Sequence, residues 1–424
     1  MLEQEPKLFR VGIIGCGDIF TSHAQAYPEH PNAIVVGFYD RIHSRAEKWK
    51  QNFIRFMDMI RETAGDGHDP EDEWDRKRCE LFTHEVKVYD SIEELISKVD
   101  VVDVCAPNYA HAPYALWALA QNKSVMTEKP PARCSLETKR IMEAQKTAKG
   151  QYQLNENMLW QVYIRELYKH TWDGTIGELV KLEVKLGHGG PSWGWNNHFM
   201  NPTLSGGGAM ADMGIHAIGM MYGILGSKFR VKQVNTVEMK SGTKPERTMS
   251  DSDGANEYLM HKFMVEDDAK IEIVLVDPNS QKEISVSMET SWSRTMQVIK
   301  VMGTQGVMEI SSDDKKRKII VVTDSTGNLK QIGIPPQGRD SHQLEIIDFL
   351  DRLAVGKPPY LHSGWSHEMQ TIISAAYLSN LNKKPVTPAD LDIFYEKMEK
   401  SGCPPHILLE EIVYTFMAPF TEEY

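Results

Sequence analysis

The 424-residue sequence predicts an α/β protein in two parts: a doubly wound parallel sheet, then a second α/β domain with a large, mostly antiparallel open sheet. Three observations predict this. Up to about residue 150, short apolar runs rich in Val and Ile alternate with helical patterns, the rhythm of a parallel sheet. Beyond it, strand patterns follow one another without helices between them, which favours antiparallel pairing. The chain is also longer than one hydrophobic core usually serves. The expected boundaries are 1–150 with an insert at about 45–82, 151–385, and a C-terminal extension at 386–424.

In the first part, residues 8–14 form a Val/Ile-rich run, Gly15-Cys16-Gly17 a turn, and the chain to about Tyr27 a helix. A second strand, Ile34–Tyr39, ends at Asp40. Residues 45–80 break the rhythm: Phe53, Phe56, Met57 and Ile60 recur at helical spacing, and a polar, acidic stretch follows from Asp66 to Asp75. This reads as an inserted helix and loop on the domain surface. The alternation resumes with a strand at Val86–Tyr89 and a helix at Ser91–Ser97 capped by Ser91. A buried strand follows at Val101–Ala106, interrupted by Asp103, then a helix at Pro113–Gln121. A strand at Ser124–Thr127, a helix at Ser135–Ala148 and a sixth strand at Gln151–Leu154 complete it.

In the second part, helices are expected at Gln161–Thr171 and, buried, at Ala209–Ile224, with a strand at Leu179–Leu186. Strands follow at Val231–Met239, Glu257–Val265, Lys270–Val276, Glu283–Glu289, Val298–Met302, Val307–Ile310 and Lys318–Val322. Helices return at His342–Leu353 and Ser366–Leu381, and one more lies in the tail after Cys403.

The net charge of −12 argues against a nucleic-acid protein, which needs a basic face for phosphates. The five cysteines are scattered and contain no C-x-x-C pair, so reduced thiols are expected, with neither a disulfide framework nor a zinc ribbon. The N-terminus lacks the apolar core of a signal peptide. The most apolar long stretch, Gly206–Gly226, holds Asp212 and His216, so it reads as a buried helix and no membrane span is expected. A cytoplasmic location is the expectation.

Gly15-Cys16-Gly17 lies between a strand and a helix, as in a Rossmann dinucleotide fingerprint. There the first glycine permits the turn and the second lets a pyrophosphate approach backbone N–H groups. The adjoining Asp18, Ile19 and Phe20 complete the candidate loop, with Phe20 where the third glycine belongs. That substitution leaves two options: the helix sits farther from the sheet, or it packs through the ring. Asp40, 23 positions beyond Gly17, is placed to accept both ribose hydroxyls of NAD, or to serve as a surface cap. Arg41 can stack on adenine or pair with a 2′-phosphate. The neighbouring carboxylate would repel that phosphate, so NAD is preferred and NADP is the alternative.

Glu128-Lys129-Pro130 ends a predicted parallel strand, where a ligand crevice opens in such sheets, although a solvated loop lysine fits the position equally. Asp212 and His216 are four apart and share one helix face after Gly206-Gly207-Gly208. They suit proton removal from a hydroxyl, or form a satisfied core pair.

Together these motifs resemble the Gfo/Idh/MocA family of NAD(P)-dependent oxidoreductases. The matching residues are Gly12-Ile13-Ile14-Gly15-Cys16-Gly17, Cys105-Ala106-Pro107-Asn108 with His111, Glu128-Lys129-Pro130, and Gly206-Gly207-Gly208 with Asp212-Met213-Gly214-Ile215-His216. The likeness covers about residues 8–385. It implies an N-terminal Rossmann domain and a C-terminal α/β domain with an open antiparallel sheet. It implies that Pro107, Asn108, His111 and Glu128 lie near the cofactor, that Lys129 reaches substrate and nicotinamide, and that Pro130 follows a cis bond. Asp212 and His216 would line the substrate pocket. A homo-oligomer, dimer or tetramer, is also implied. Phe20, the insert and the tail after Pro385 depart from the pattern.

The chemistry expected is hydride transfer between a nicotinamide and a carbinol carbon. His216 would accept the hydroxyl proton, Asp212 would orient the imidazole or bind substrate, and Lys129 would polarise the oxygen. Lys129 and His216 remain alternative bases. Arg165, His188, Trp193 and Trp195 are the further substrate-binding candidates. Indole faces stack on the C–H faces of sugars, which favours a sugar, glycoside or cyclic polyol, although both indoles also fit as packing anchors. The spacing of His188, His198, Asp212 and His216 fits no closed zinc pattern, so no metal is expected. Two alternatives stand: an NAD-dependent glycosidase working by transient oxidation and elimination, and a non-catalytic dinucleotide-sensing regulator.

Overall fold

The computed structural model describes residues 8–63, 70–191, 198–241, 248–250, 257–259 and 264–421. Trp193 and Trp195 lie outside the described residues. The chain divides into two compact units, each discontinuous in sequence. The first comprises Met1–Pro131, Lys139–Asn155 and Arg339–Ser366; the second comprises Ala132–Thr138, Glu156–Gly338 and His367–Tyr424.

The first unit is built on strands β1 (Phe9–Ile14), β2 (Ala33–Tyr39), β3 (Lys87–Val88), β4 (Val101–Val104), β5 (Ser124–Glu128) and β6 (Tyr152–Asn155). They form a six-stranded sheet in the order β3-β2-β1-β4-β5-β6, parallel throughout. The order reverses between β1 and β4, so a ligand crevice is expected beyond their carboxyl ends, where Gly15 and Cys105 lie. The helix Ile92–Lys98 starts as expected, with the Ser91 hydroxyl accepting from Glu94 N. A late helix, Ser341–Ala354, also belongs here and buries Ile346, Phe349 and Leu350 in the core.

Two expectations are corrected around the fingerprint. The helix expected up to Tyr27 is broken into Phe20–His23 and Ala26–Glu29. The insert is two helices, His43–Thr63 and Pro70–Glu85, not a helix and a loop. It is not peripheral either: Phe53, Met57, Cys79 and Phe82 are buried in the same core as β1 and β2. The second helix escapes a periodicity search because, among its described side chains, Cys79 and Phe82 are the apolar residues it buries.

Phe20 explains why the insert must be internal. Its ring is fully buried, edge-on to Phe38 of β2 at 6.2 Å and to Trp49 at 4.9 Å, and stacked on Phe53 at 6.0 Å. A side chain replaces the usual glycine, and the insert helix supplies the aromatic surface that receives it. Phe53→Ala should therefore cost about 3–5 kcal/mol. A urea midpoint that falls with the slope unchanged would check this.

In the second unit the strands are β7 (Leu179–Gly187), β8 (Arg230–Lys240), β9 (Thr248–Ser250), β10 (Glu257–Leu259), β11 (Asp268–Val276), β12 (Glu283–Ser291), β13 (Met296–Gly303), β14 (Gly306–Ser312), β15 (Lys318–Asp324) and β16 (Leu329–Gly333). An eight-stranded sheet runs β16-β15-β14-β13-β7-β12-β11-β8, and β9 pairs with β10 apart from it. All its neighbours are antiparallel except β7 with β12. Leu182, Val184 and Leu186 alternate with Lys181, Glu183 and Lys185, so one face is apolar and the other charged. The helix Ala209–Leu225 packs on β7 and β12 and buries most of its residues.

The tail is part of this core. Val386 exchanges backbone hydrogen bonds with Val234, and the helices Pro388–Lys400 and Leu408–Thr421 follow. Phe416 is buried, stacked on Tyr377 and Phe394. Among the described residues, no helix is long and apolar enough to cross a membrane.

Candidate active site

The glycine turn is held on one side and open on the other. Gly15 has φ +93°, and a Cβ there would meet the Cys105 carbonyl at 2.6 Å. A Cβ on Gly17 would meet nothing within 4 Å. The Asp40 carboxylate accepts from Cys16 N at 2.8 Å and from Ile42 N at 2.7 Å, tying the end of β2 to the turn. Open space beside Gly17, with the Asp40 carboxylate at the neighbouring strand end, fits a dinucleotide: backbone N–H groups for the pyrophosphate and a carboxylate for the ribose. Asp18 and Arg41 are exposed and Ile19 half-buried. Phe20, expected among the cofactor contacts, presents no ring surface to a ligand because its side chain is committed to the core.

Lys129, half-buried at the end of β5, is followed by a cis bond to Pro130, as the family resemblance implied. Glu128 accepts from Lys129 N at 3.1 Å through one oxygen and bonds His23 Nε2 at 3.0 Å through the other. On its far side, His23 Nδ1 lies 2.9 Å from Asp103 Oδ2, which also accepts from the Tyr27 hydroxyl at 2.6 Å. With a carboxylate at each nitrogen, His23 is an imidazolium donating both ways. Burial alone would push its pKa down; the Cys105 sulfur and the Asp103 carboxylate carry it well above the usual histidine value. Burial likewise pushes Glu128 up, but the His23 hydrogen bond and charge, then His342 and Lys129, hold it at about 2.

His23 with Asp103 and Cys105, and His23 with Glu128 and Glu345, are the groups among the described residues whose donor atoms converge closely enough for an ion. Here the His23 nitrogens are taken up by carboxylates instead. His111 is buried, with its ring nitrogens 2.6 Å from the Pro130 carbonyl and 2.7 Å from that of Ala106. It braces the two strand-end loops that carry Pro107, the buried Asn108 and Lys129.

In the second unit, the glycine run before the helix Ala209–Leu225 makes room for protein rather than for ligand. A Cβ on Gly207 would lie 1.9 Å from the Tyr377 hydroxyl, and one on Gly208 would lie 1.8 Å from the Glu266 carbonyl. The Glu266 carboxylate caps the helix, accepting from Met210 N at 2.8 Å, Gly208 N at 3.1 Å and the Tyr377 hydroxyl at 2.8 Å. Burial pushes its pKa up to about 7 against those donors.

Asp212 and His216 lie on one face of this helix but differ in partners. Asp212 Oδ2 accepts from Trp292 Nε1 at 2.9 Å and lies 3.7 Å from His188 Nε2. His188 Nδ1 accepts from Gly190 N at 2.8 Å, which turns its other nitrogen to Asp212. His216 Nδ1 is hydrogen-bonded to Glu156. Of the two roles expected for Asp212, orienting the imidazole or binding substrate, the first is filled by Glu156. Arg165 is exposed on the helix Val162–Trp172.

Sequence reasoning missed Glu156, Trp292, Glu266 and His23. Glu156 directly follows β6, and strand ends are where site residues collect, so its position was a usable signal. Trp292 and Glu266 lie far along the chain from Asp212 and Met210, and no spacing announces them.

Comparison with known proteins agrees with this geometry. Residues 9–156 match the profile described as oxidoreductase family, NAD-binding Rossmann fold. Residues 164–309 match the GFO/IDH/MocA C-terminal domain. The chain is 26% identical to a glucose-6-phosphate 3-dehydrogenase of Bacillus subtilis, over 53% of this chain and 56% of that protein. It thus spans little more than half the length of this relative. It is 25% identical to an inositol 2-dehydrogenase of Salmonella typhimurium, over 70% of this chain and 79% of that protein. An aldose-aldose oxidoreductase from Caulobacter crescentus, solved with glycerol, shares the fold with a TM-score of 0.65 at 18% identity, covering 90% of this chain and 100% of that one. With both its domains matched, a parallel sheet bearing a dinucleotide turn and a cis Glu-Lys-Pro end, this chain is a member of the Gfo/Idh/MocA family of oxidoreductases, and its first unit is an NAD-binding Rossmann domain.

Proposed function

We propose that the protein is an NAD-dependent dehydrogenase acting on a secondary hydroxyl of a sugar, glycoside or cyclic polyol. The observation that carries this is the helix Ala209–Leu225, which holds a carboxylate-bound imidazole and a second carboxylate four residues apart, each on a separate hydrogen-bond partner. His216 can receive the hydroxyl proton on Nε2, because Nδ1 is engaged by Glu156. Asp212, held by Trp292, has further acceptor capacity for a substrate hydroxyl. Lys129, at the end of β5, is proposed as an electrostatic partner for negative charge developing on a substrate oxygen. Bound NAD supplies the hydride acceptor. The sugar and inositol dehydrogenases among the relatives support the substrate class.

A panel of sugars, inositols and glycosides with saturating NAD should produce stoichiometric NADH, read by absorbance. Release of aglycone without NADH, or no change with any compound, would overturn this reading.

A further inference from the structure

Glu156 is a buried carboxylate with an unusual setting. Its Oε1 takes the hydrogen bond of His216 Nδ1. Its Oε2 is buried and makes no hydrogen bond among the described residues. Gly219 lies one helical turn after His216, and a Cβ there would come within 2.0 Å of Oε2. The helix therefore carries a glycine in its buried interior, where Ala is the better helix former, at the place where the carboxylate needs room. A half-satisfied buried carboxylate is costly. The buried Tyr163 phenol is pushed up by burial and by the Glu156 charge.

We infer that Glu156 is the positioning residue for His216. A carboxylate only accepts, so the ring carries its hydrogen on Nδ1 and leaves Nε2 bare for the substrate. When the substrate O–H bond breaks and the Nε2–H bond forms, the positive charge on the ring stands against an anion already in place, as in a carboxylate–histidine catalytic pair. This rests on the reading of His216 as the base.

Two variants test it. Glu156→Leu removes the acceptor, and Gly219→Ala drives the carboxylate off the ring while leaving Glu156 in the sequence. Each should lower kcat about 100-fold or more, with the dissociation constant for NAD within about threefold of wild type. Neither should lower turnover further in a His216→Ala background. In the apo protein, 15N-labelled histidine should show the His216 signal as the Nδ1–H tautomer, moving toward Nε2–H in both variants; this needs no turnover and remains readable in whichever variant folds. Wild-type kcat in the variants, an unmoved tautomer, or an equal further loss in the His216→Ala background would overturn the inference. If His216→Ala itself turns over normally, the proposed base falls. If His216→Ala is inactive while Glu156→Leu and Gly219→Ala are not, only the role of Glu156 falls.

Discussion

His216→Ala and Lys129→Met are each expected to lower turnover by about 10²–10⁴-fold, the usual contribution of a positioned acid–base group, while NAD still binds. The reason differs between them. Removing the imidazole leaves the alkoxide-forming step without an acceptor for the proton. Removing the ammonium leaves developing negative charge on the substrate oxygen without a counter-charge. Lys129 follows Glu128, whose carboxylate holds the Lys129 N–H and is itself held by His23, so the methionine variant keeps the backbone anchors of that segment. The measurement is steady-state NADH formation on the best substrate of the panel, with NAD affinity by fluorescence titration. Near-normal turnover in both variants would remove the assignment.

His23→Ala is expected to destabilise the protein by about 3–5 kcal/mol, because it leaves the Asp103 and Glu128 carboxylates buried without the cation between them. The His23 pKa is raised in the folded state, so its stabilisation is complete below the unfolded value of about 6.5 and is lost as pH rises through the folded one. The Glu128 pKa is lowered, to about 2, so its stabilisation is present above the unfolded value of about 4.3 and is lost as pH falls toward 2. The stability gap between wild type and His23→Ala should therefore be widest between about pH 5 and 6.5 and narrow above that range. Urea denaturation across this series reads it. A gap that widens steadily from pH 6 to 9 would contradict an imidazolium at this place.

The architecture was legible because both sheets write their pattern locally. Strands β1, β2 and β4 are short Val- and Ile-rich runs, and apolar and polar residues alternate from Lys181 to Leu186 in β7 and from Glu283 to Glu289 in β12. β16 was not legible because none of its residues is buried, so burial imposes no alternation on it. The helix Pro388–Lys400 did carry a signal. Thr387 and Asp390 form a reciprocal capping box with Pro388 at the first turn, a pattern readable from Thr-Pro-Ala-Asp alone. Among the candidate site residues, Lys129, Asp212 and His216 stood out because their neighbours form recognisable motifs. The partners that orient them did not, since Glu156 and Trp292 reach their targets through tertiary packing 60 and 80 residues away. The glycines at 207 and 208 were visible as a run, but their cause, Tyr377 and Glu266 pressed against the backbone, is a fact of packing.

Phe20 bears on any attempt to redesign coenzyme preference in this protein. Such redesign exchanges the segment after β2, where Asp40 and Arg41 sit, and here the aromatic-bearing insert begins at His43, two residues on. A graft taken from a relative with a glycine at the third fingerprint position would import a loop and omit Trp49 and Phe53. The ring would then lose its contacts with Trp49 and Phe53, and the fold would be less stable. Coenzyme engineering in this chain has to treat position 20 and the insert as one exchangeable cassette.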